Sequence, residues 1–503
     1  MVLPKIHRLS HLLDNSSHFF TCTPRLKPAE LGVVFMLAQL NLIHSCPGSR
    51  SAGSERGYGN MTYKKVLGAF LVSVLFPALS SAQDAAEHPT YAKEVSRIIQ
   101  ENCQVCHRPG QIGPMSLTSY EEVRPWAPLI QLKVAAREMP PYHYDTDVGV
   151  QQLKNDWRLS QEEIDTIVDW VNSGSPFGNP EDLPPARQYP NMDDWQFAAE
   201  LGPPDHTIKT DPWDVPADGQ DLWWKPVVDS GITESRCIKA VETRPSAAAI
   251  GSTHHANSHF KVQNADGKWV DGDRLSEFAI GKLGEKVPKG ACRRVPANSK
   301  VEWEVHYYPK GVAVPNDQVT VGIWFYDEED DFVEEESYPQ DLRAYILNGG
   351  GDYMIPPHST LMTQGFRSFD HPVRIDSWQP HMHLRGVAMK MEVFYPETGR
   401  TEVLSQSSNW TSAWNHSHTY EEGFQPLIPA GATIILTGWY DNTENNPMNP
   451  DPDQWVGAGQ RTTDEMSHAW IAVSHLDQAA YEKLLAERKA RDSKTVASLG
   501  GQD

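Results

Sequence analysis

Cys103-Gln104-Val105-Cys106-His107 places two thiols and an imidazole in a C-x-x-C-H run. Each thiol of such a run can add to a vinyl group of haem, and the adjoining histidine then sits under the iron as one axial ligand. Cys103, Cys106 and His107 therefore predict one covalently bound c-type haem. The second ligand should be a Met or His farther along. Met139, in Arg137-Glu138-Met139-Pro140-Pro141-Tyr142, is the first choice, because the proline pair fixes a loop that can present the thioether; Met115 and His143 are the alternatives. A plain disulfide or half of a zinc site is the blander reading, and zinc would want a second close Cys/His pair, which is absent.

Three other places carry metal-ligand chemistry: Thr253-His254-His255 with His259 nearby, Glu304-Val305-His306-Tyr307, and Pro380-His381-Met382-His383-Leu384-Arg385-Gly386. On a strand, residues i and i+2 share a face, so His381 and His383 can hold one ion together. Adjacent His254 and His255 would point to opposite faces of a regular strand, so their joint use demands a bulge or a strand end. Met466, in Thr462-Thr463-Asp464-Glu465-Met466, adds a soft thioether, and His with Met suits copper better than zinc or magnesium. Taken singly, His254 and His255 also read as surface or core histidines and Met466 as a core residue.

The elements that must position these groups fall into two kinds. Residues 88–177 read as helical: Val95, Ile98 and Ile99 share one face, and Ser160 with Glu163 forms a capping box ahead of Ile164, Ile167, Val168 and Val171. Gly174 is the expected stop. Residues 178–206 are a Pro-rich linker. From 207 onward the chain turns to short runs of period-2 alternation, clearest at Val301-Glu302-Trp303-Glu304-Val305-His306-Tyr307. These runs predict two β-sandwiches, 207–366 and 367–475, followed by a helix and tail over 476–503.

The chain of 503 residues is long enough for about three domains, and its net charge of −22 disfavours nucleic acid and anionic membranes as partners. From Met61 it reads as a secretory signal: Lys64 and Lys65, an apolar run over 66–79 too short to span a membrane, and a small-residue cleavage site at Ser80-Ser81-Ala82. Residues 1–60 then read as an upstream extension. The remainder is expected to be an acidic periplasmic or secreted protein with no stable membrane span, in a compartment that permits disulfides.

The helical stretch, by its C-x-x-C-H, flanking helices and Met-Pro-Pro, resembles the single-haem class I cytochrome c domain. The order His-His, strand His-Tyr, His-x-His-x-x-Gly and Asp-Glu-Met over about 207–475 resembles the copper type II, ascorbate-dependent monooxygenases, the family of peptidylglycine α-hydroxylating monooxygenase and dopamine β-monooxygenase. The expected fold class is thus a small all-α cytochrome c domain followed by two all-β jelly-roll sandwiches. The resemblance implies two copper ions: one on His254, His255 and His306, the other, where oxygen is activated, on His381, His383 and Met466. It also implies hydroxylation of a C–H bond of a small organic substrate with O₂ and an ascorbate-like reductant; the fusion alone adds the expectation that the chain's own haem, or an electron-donor protein, feeds electrons in place of or alongside that reductant. A non-catalytic haem and copper electron-transfer or copper-binding protein is the alternative. Where peptidylglycine-specific members anchor a substrate carboxylate with Arg, Asn and Tyr, this chain has Gln379, His468 and Trp470, which disfavours that substrate. With Cys103 and Cys106 on haem and Cys22 and Cys46 upstream of the signal, Cys237 and Cys292 remain for one disulfide; two free buried thiols are the alternative.

Overall fold

The structure is a computed structural model that describes residues 88–499, apart from 110, 112, 190–193, 280–281, 283, 289–290, 328–339 and 351–352. The expected extension 1–60 and signal 61–82 lie outside the described residues.

Alternating residues build the β region. In strand Lys300–Tyr307, Val301, Trp303 and Val305 turn inward while Glu302 and Glu304 turn out, and Phe260 of strand Thr253–Gln263 joins them in the first core. Strands Leu222–Trp224, Lys300–Tyr307, Thr253–Gln263 and Trp269–Ala279 form one five-stranded sheet with Val227–Asp229. A four-stranded sheet, Thr360–Ser368, Thr433–Asp441, Gly386–Tyr395 and Arg400–Ser407, closes the second core over Val373, Ile375, Trp378 and Ile471. Both sheets face one continuous eleven-stranded sheet, in which His418–Tyr420, Val373–His381, His468–His475 and Gln340–Asn348 run on into Ala291–Val295, Arg236–Arg244 and Thr320–Phe325. The join is a short parallel pairing, Ala291 with Gln340 and Cys292 with Asp341.

The expected fold class needs correction. The described residues are mostly β-sandwich with few helices, and no free-standing all-α domain precedes them. Helices Ser96–Asn102, Ala127–Ala135 and Gln161–Asn172 do pack together around Ile99, Val134, Ile167 and Trp170. The segment between them, however, belongs to the β region. Tyr142, Tyr144 and Leu153 are buried in the second core, and Leu153–Lys154 pairs with His418–Tyr420 as the edge of the eleven-stranded sheet. The two sandwiches are likewise not separate jelly rolls, since they share that sheet. The reason is burial: three apolar or aromatic side chains of this segment gain more by entering a neighbouring core than a short helical cluster can offer them.

Local signals inside the helical part do appear as read. Ser160 and Glu163 exchange the two bonds of a capping box, and Gly174 follows the helix at φ 94°. The C-terminal helix, Gln478–Leu499, is held by Arg491, whose guanidinium donates to the Gly423 carbonyl at 2.6 Å and lies 3.9 Å from the Phe424 ring centre. None of the helices among the described residues is long and apolar enough to cross a membrane.

Cys237 and Cys292 form a disulfide that ties strand Arg236–Arg244 to strand Ala291–Val295 across 55 residues. Closing a loop of that length removes unfolded-state entropy worth about 4 kcal/mol. The double variant Cys237→Ser/Cys292→Ser is expected to lose about that much in denaturant titration. A loss below about 1 kcal/mol would mean that the bridge contributes little beyond the sheet pairing around it.

Candidate metal centre

His255 and His306 are direct partners in the antiparallel ladder between strands Thr253–Gln263 and Lys300–Tyr307. The next pair is Tyr307 with Thr253, so His254 is the extra residue of a β-bulge at the strand end. That one inserted residue turns two adjacent imidazoles toward a common point. Nδ1 of His254 lies 3.2 Å from Nδ1 of His306 and 3.1 Å from Nδ1 of His255. Among the described residues this is the group of three or more His, Cys, Asp or Glu whose ligand atoms converge closely enough to hold one ion. Ring nitrogens this close repel through their lone pairs unless a proton or cation lies among them. A metal about 2.0 Å from each of a tetrahedral set gives nitrogens roughly 3.3 Å apart, close to what is seen.

The surroundings keep these rings neutral and oriented. Burial is the main cause for each: it pushes His254 down to about 4, with His306 adding to it, takes His255 well below the ordinary value, and lowers His306. Neutral imidazoles bind a metal without first losing a proton. The Asp221 carboxylate stands 3.2 Å from Nε2 of His306, where it favours the tautomer whose Nδ1 lone pair faces the cluster. Trp223, paired with His306 on its other side, stacks on that ring at 4.4 Å and 8° and meets His255 edge-on.

His381 ends strand Val373–His381, and His383 lies in the tight turn beyond it, their rings 5.4 Å apart and nearly perpendicular. The turn closes sharply: a Cβ on Gly386 would fall 2.4 Å from Cβ of Met382, which explains the glycine there. Glu465, fully buried, accepts the backbone N–H of His383 at 2.8 Å and of Arg385 at 2.6 Å. His383 Nδ1 donates to the Asp464 carbonyl at 3.1 Å, leaving Nε2 free as a ligand. Met466 is next in this strap, half-buried, its carbonyl accepting from the Tyr440 hydroxyl at 2.9 Å. His468 is the cross-strand partner of His381, stacked on it at 4.7 Å and pushed down to about 4 by burial and by His383. Burial also takes His381 well below the ordinary range and lowers His383.

The two His groups lie on different sheets, His254, His255 and His306 on the five-stranded one and His381 at the end of a strand of the eleven-stranded one. Their charges interact: His383 disfavours a proton on His254, and His255 disfavours one on His381. Thr462, in the Met466 strap, donates to the same Asp221 carboxylate that contacts His306, at 2.8 Å. Asp221, Trp223, Glu465 and the His381–His468 stack lay outside the expected ligand sets. Two of these carried a signal: Glu465 as the acidic neighbour of Met466, and His468 as one of the positions that differ from the peptidylglycine-specific members.

At the C-x-x-C-H run, Cys103 and Cys106 are both unbonded thiols. His107 Nδ1 donates to the Met115 carbonyl at 3.1 Å, which leaves Nε2 free, and a Cβ on Gly113 would come within 2.7 Å of that ring. A cavity of about 410 Å³ opens between the helices and the second sandwich, lined among others by Val134, Met139, Tyr142, His143, Leu159 and Ile164. Its volume is in the range of cofactor pockets, but Cys103, Cys106 and His107 are not among the residues that line it. Met139 and His143 line it, whereas Met115 packs against the helical core. From this cavity Tyr142 meets His418 at 4.8 Å, and His418 stacks at 5.7 Å on Trp378, in the strand that ends at His381.

No family model and no curated protein matches the chain. Among solved structures it is similar to the major capsid protein P2 of Bacteriophage PM2, with 7% identity and a TM-score of 0.25 over 55% of this chain and 99% of that one. It is also similar to peptide:N-glycanase F, with 12% identity and a TM-score of 0.23 over 55% and 97%. At these scores nothing about function carries over.

Proposed function

We propose that this chain is an exported copper monooxygenase that hydroxylates a C–H bond of a small organic substrate and carries its own covalently bound haem as an electron donor. The observation that carries this reading is the bulge at His254, which brings its Nδ1 to 3.1 Å from that of His255 and 3.2 Å from that of His306, so that three ligand atoms converge.

The donor sets fit the ions they would take. His254, His255 and His306 offer three imidazole nitrogens, suited to a borderline metal, and His381, His383 and Met466 add a thioether that favours Cu(I). When bound, the coppers supply the oxygen activation and one-electron chemistry that protein side chains lack. The chain's own residues orient and shield. Asp221 holds the His306 tautomer, the Asp464 carbonyl holds that of His383, and Glu465 fixes the turn between His383 and Arg385. Trp223 stacks on His306, His468 on His381, and Trp470 meets His468 edge-on, so rings flank both groups, which suits an apolar or aromatic part of a substrate. With Gln379 paired to Glu277 at 2.9 Å, its amide is already occupied and is not available to the carboxylate of a peptidyl-glycine.

Cys103, Cys106 and His107 hold the haem in this reading, with Met139 as the second ligand and His143 as its neighbour on the same cavity. The Tyr142, His418 and Trp378 rings fill the interior between that cavity and the strand of His381. Export agrees with the formed disulfide, which belongs to an oxidising compartment.

Metal and haem analysis tests this. Protein matured with haem-attachment machinery and loaded with copper is expected to hold one haem and two coppers per chain, and to consume O₂ when an organic substrate and a reductant are supplied. Two coppers without substrate-dependent O₂ consumption would leave an electron-transfer or copper-binding protein. No copper would end the monooxygenase reading.

A further inference from the structure

The two sandwiches meet over a buried group of charges that the chemistry above does not use. Arg274 and Lys282 both pair with Oε2 of Glu277, at 2.6 and 3.0 Å. Lys282 also reaches Glu285 at 2.7 Å, and Arg293 pairs with Glu285 at 2.7 Å. The second sandwich contributes Gln379, whose amide donates to Glu277 at 2.9 Å and accepts from Lys282 at 3.2 Å. It also contributes Trp470, whose ring centre lies 4.3 Å from the Arg274 guanidinium.

Among the described residues three cations thus face two carboxylates, and one positive charge is left over. The arginine and lysine side chains are at most 9% exposed, and the Nε–H groups of both Arg274 and Arg293 are buried without a hydrogen-bond partner. An uncompensated charge and two unused donors away from water cost several kcal/mol unless something accepts from them. Between these residues is a cavity of about 20 Å³, lined among others by Arg274, Lys282, Glu285, Arg293, Gln379 and Trp470. A single water needs about 10–15 Å³ by this measure, so the space takes one small sphere and excludes a carboxylic acid, sulfate or phosphate.

We infer that this cavity binds one monatomic anion, a halide, between the two sandwiches. A water there would satisfy the donors and leave the charge; a halide answers both. Because the lining comes from both sandwiches, the bound ion holds them together. It thereby fixes the strand of Gln379, two residues before His381, against the strand of Glu277. The inference stands whether or not the chain binds copper.

The experiment uses the full haem-bearing chain without copper, since copper itself takes halide ligands. Thermal unfolding is followed in sodium chloride or bromide and in sodium gluconate at the same ionic strength. The expected result is a rise in Tm that grows with the logarithm of halide concentration above Kd, about 3 °C at roughly 100 times Kd, absent in gluconate. Arg293→Gln should remove that rise. Chloride-35 line broadening in the wild-type protein provides a second reading that Arg293→Gln and Arg274→Gln should abolish. Equal Tm in chloride and gluconate would overturn the inference. An equal rise in sulfate would reduce the effect to general salt stabilisation and overturn it too, as would broadening that survives both substitutions.

Discussion

Met466→Ala is expected to remove one copper of two and to abolish substrate-dependent O₂ consumption, while His306→Ala removes the other copper. The expectation rests on the separate construction of the two groups. His254, His255 and His306 hang on a bulge between two strands of the five-stranded sheet, whereas His381 and His383 are held by a turn that the strap 462–466 clamps. Losing the thioether leaves two imidazoles for a soft ion, and losing His306 leaves a bulge with two. Changing only the groups around a metal ligand typically costs 10–100-fold in affinity or activity, and removing a ligand itself should exceed about 100-fold. Copper per chain by elemental analysis and initial rates in an oxygen electrode make the comparison. If both variants retain two coppers, neither ligand set is as proposed.

Glu465→Ala should be among the most damaging single substitutions in the second sandwich. The carboxylate is fully buried and accepts two backbone N–H groups of the His383–Arg385 turn, and the charge of the buried Arg385, whose guanidinium donates to the Thr463 carbonyl at 3.0 Å, favours its ionised form. Burial raises its own proton affinity to about 7, against the lowering effect of those N–H groups and of Arg385. Alanine would strand two donors and a buried cation, at a cost of about 3–5 kcal/mol. The His381–His383 turn should loosen with it, so copper falls to one per chain while the three-His group keeps its own. Glu465→Gln retains an acceptor and should cost about 1–2 kcal/mol. Urea titration with copper analysis reads both effects. An alanine variant as stable as wild type would show that the clamp has no structural role.

The local patterns were legible along the chain because their signals span only a few residues. The C-x-x-C-H run, the capping box of Ser160 and Glu163, the alternation through Trp303 and the H-x-H pair each lie within a turn or a short strand. The sequence also required a bulge or strand end if His254 and His255 were to act together, since period two forbids it otherwise. Where that bulge falls was a tertiary matter: it is defined by pairing with His306 and Tyr307, more than fifty residues away. The same holds for Asp221 and Trp223 beside His306, and for His468 stacked on His381, whose neighbours are set by ladder register.

The largest correction has the same cause. Helix periodicity and caps around 88–177 correctly marked local helices, but nothing within that stretch could reveal that Tyr142, Tyr144 and Leu153 find their burial in a sandwich core formed by residues from 355 onward. Nor could alternation show that both sandwiches share one sheet, because the joining pairs link Ala291 and Cys292 to Gln340 and Asp341 across separate strands. Backbone preference and side-chain period act over a few residues and are written in the sequence. Burial and register are settled by the lowest free energy of the whole chain, and only the tertiary structure decides them.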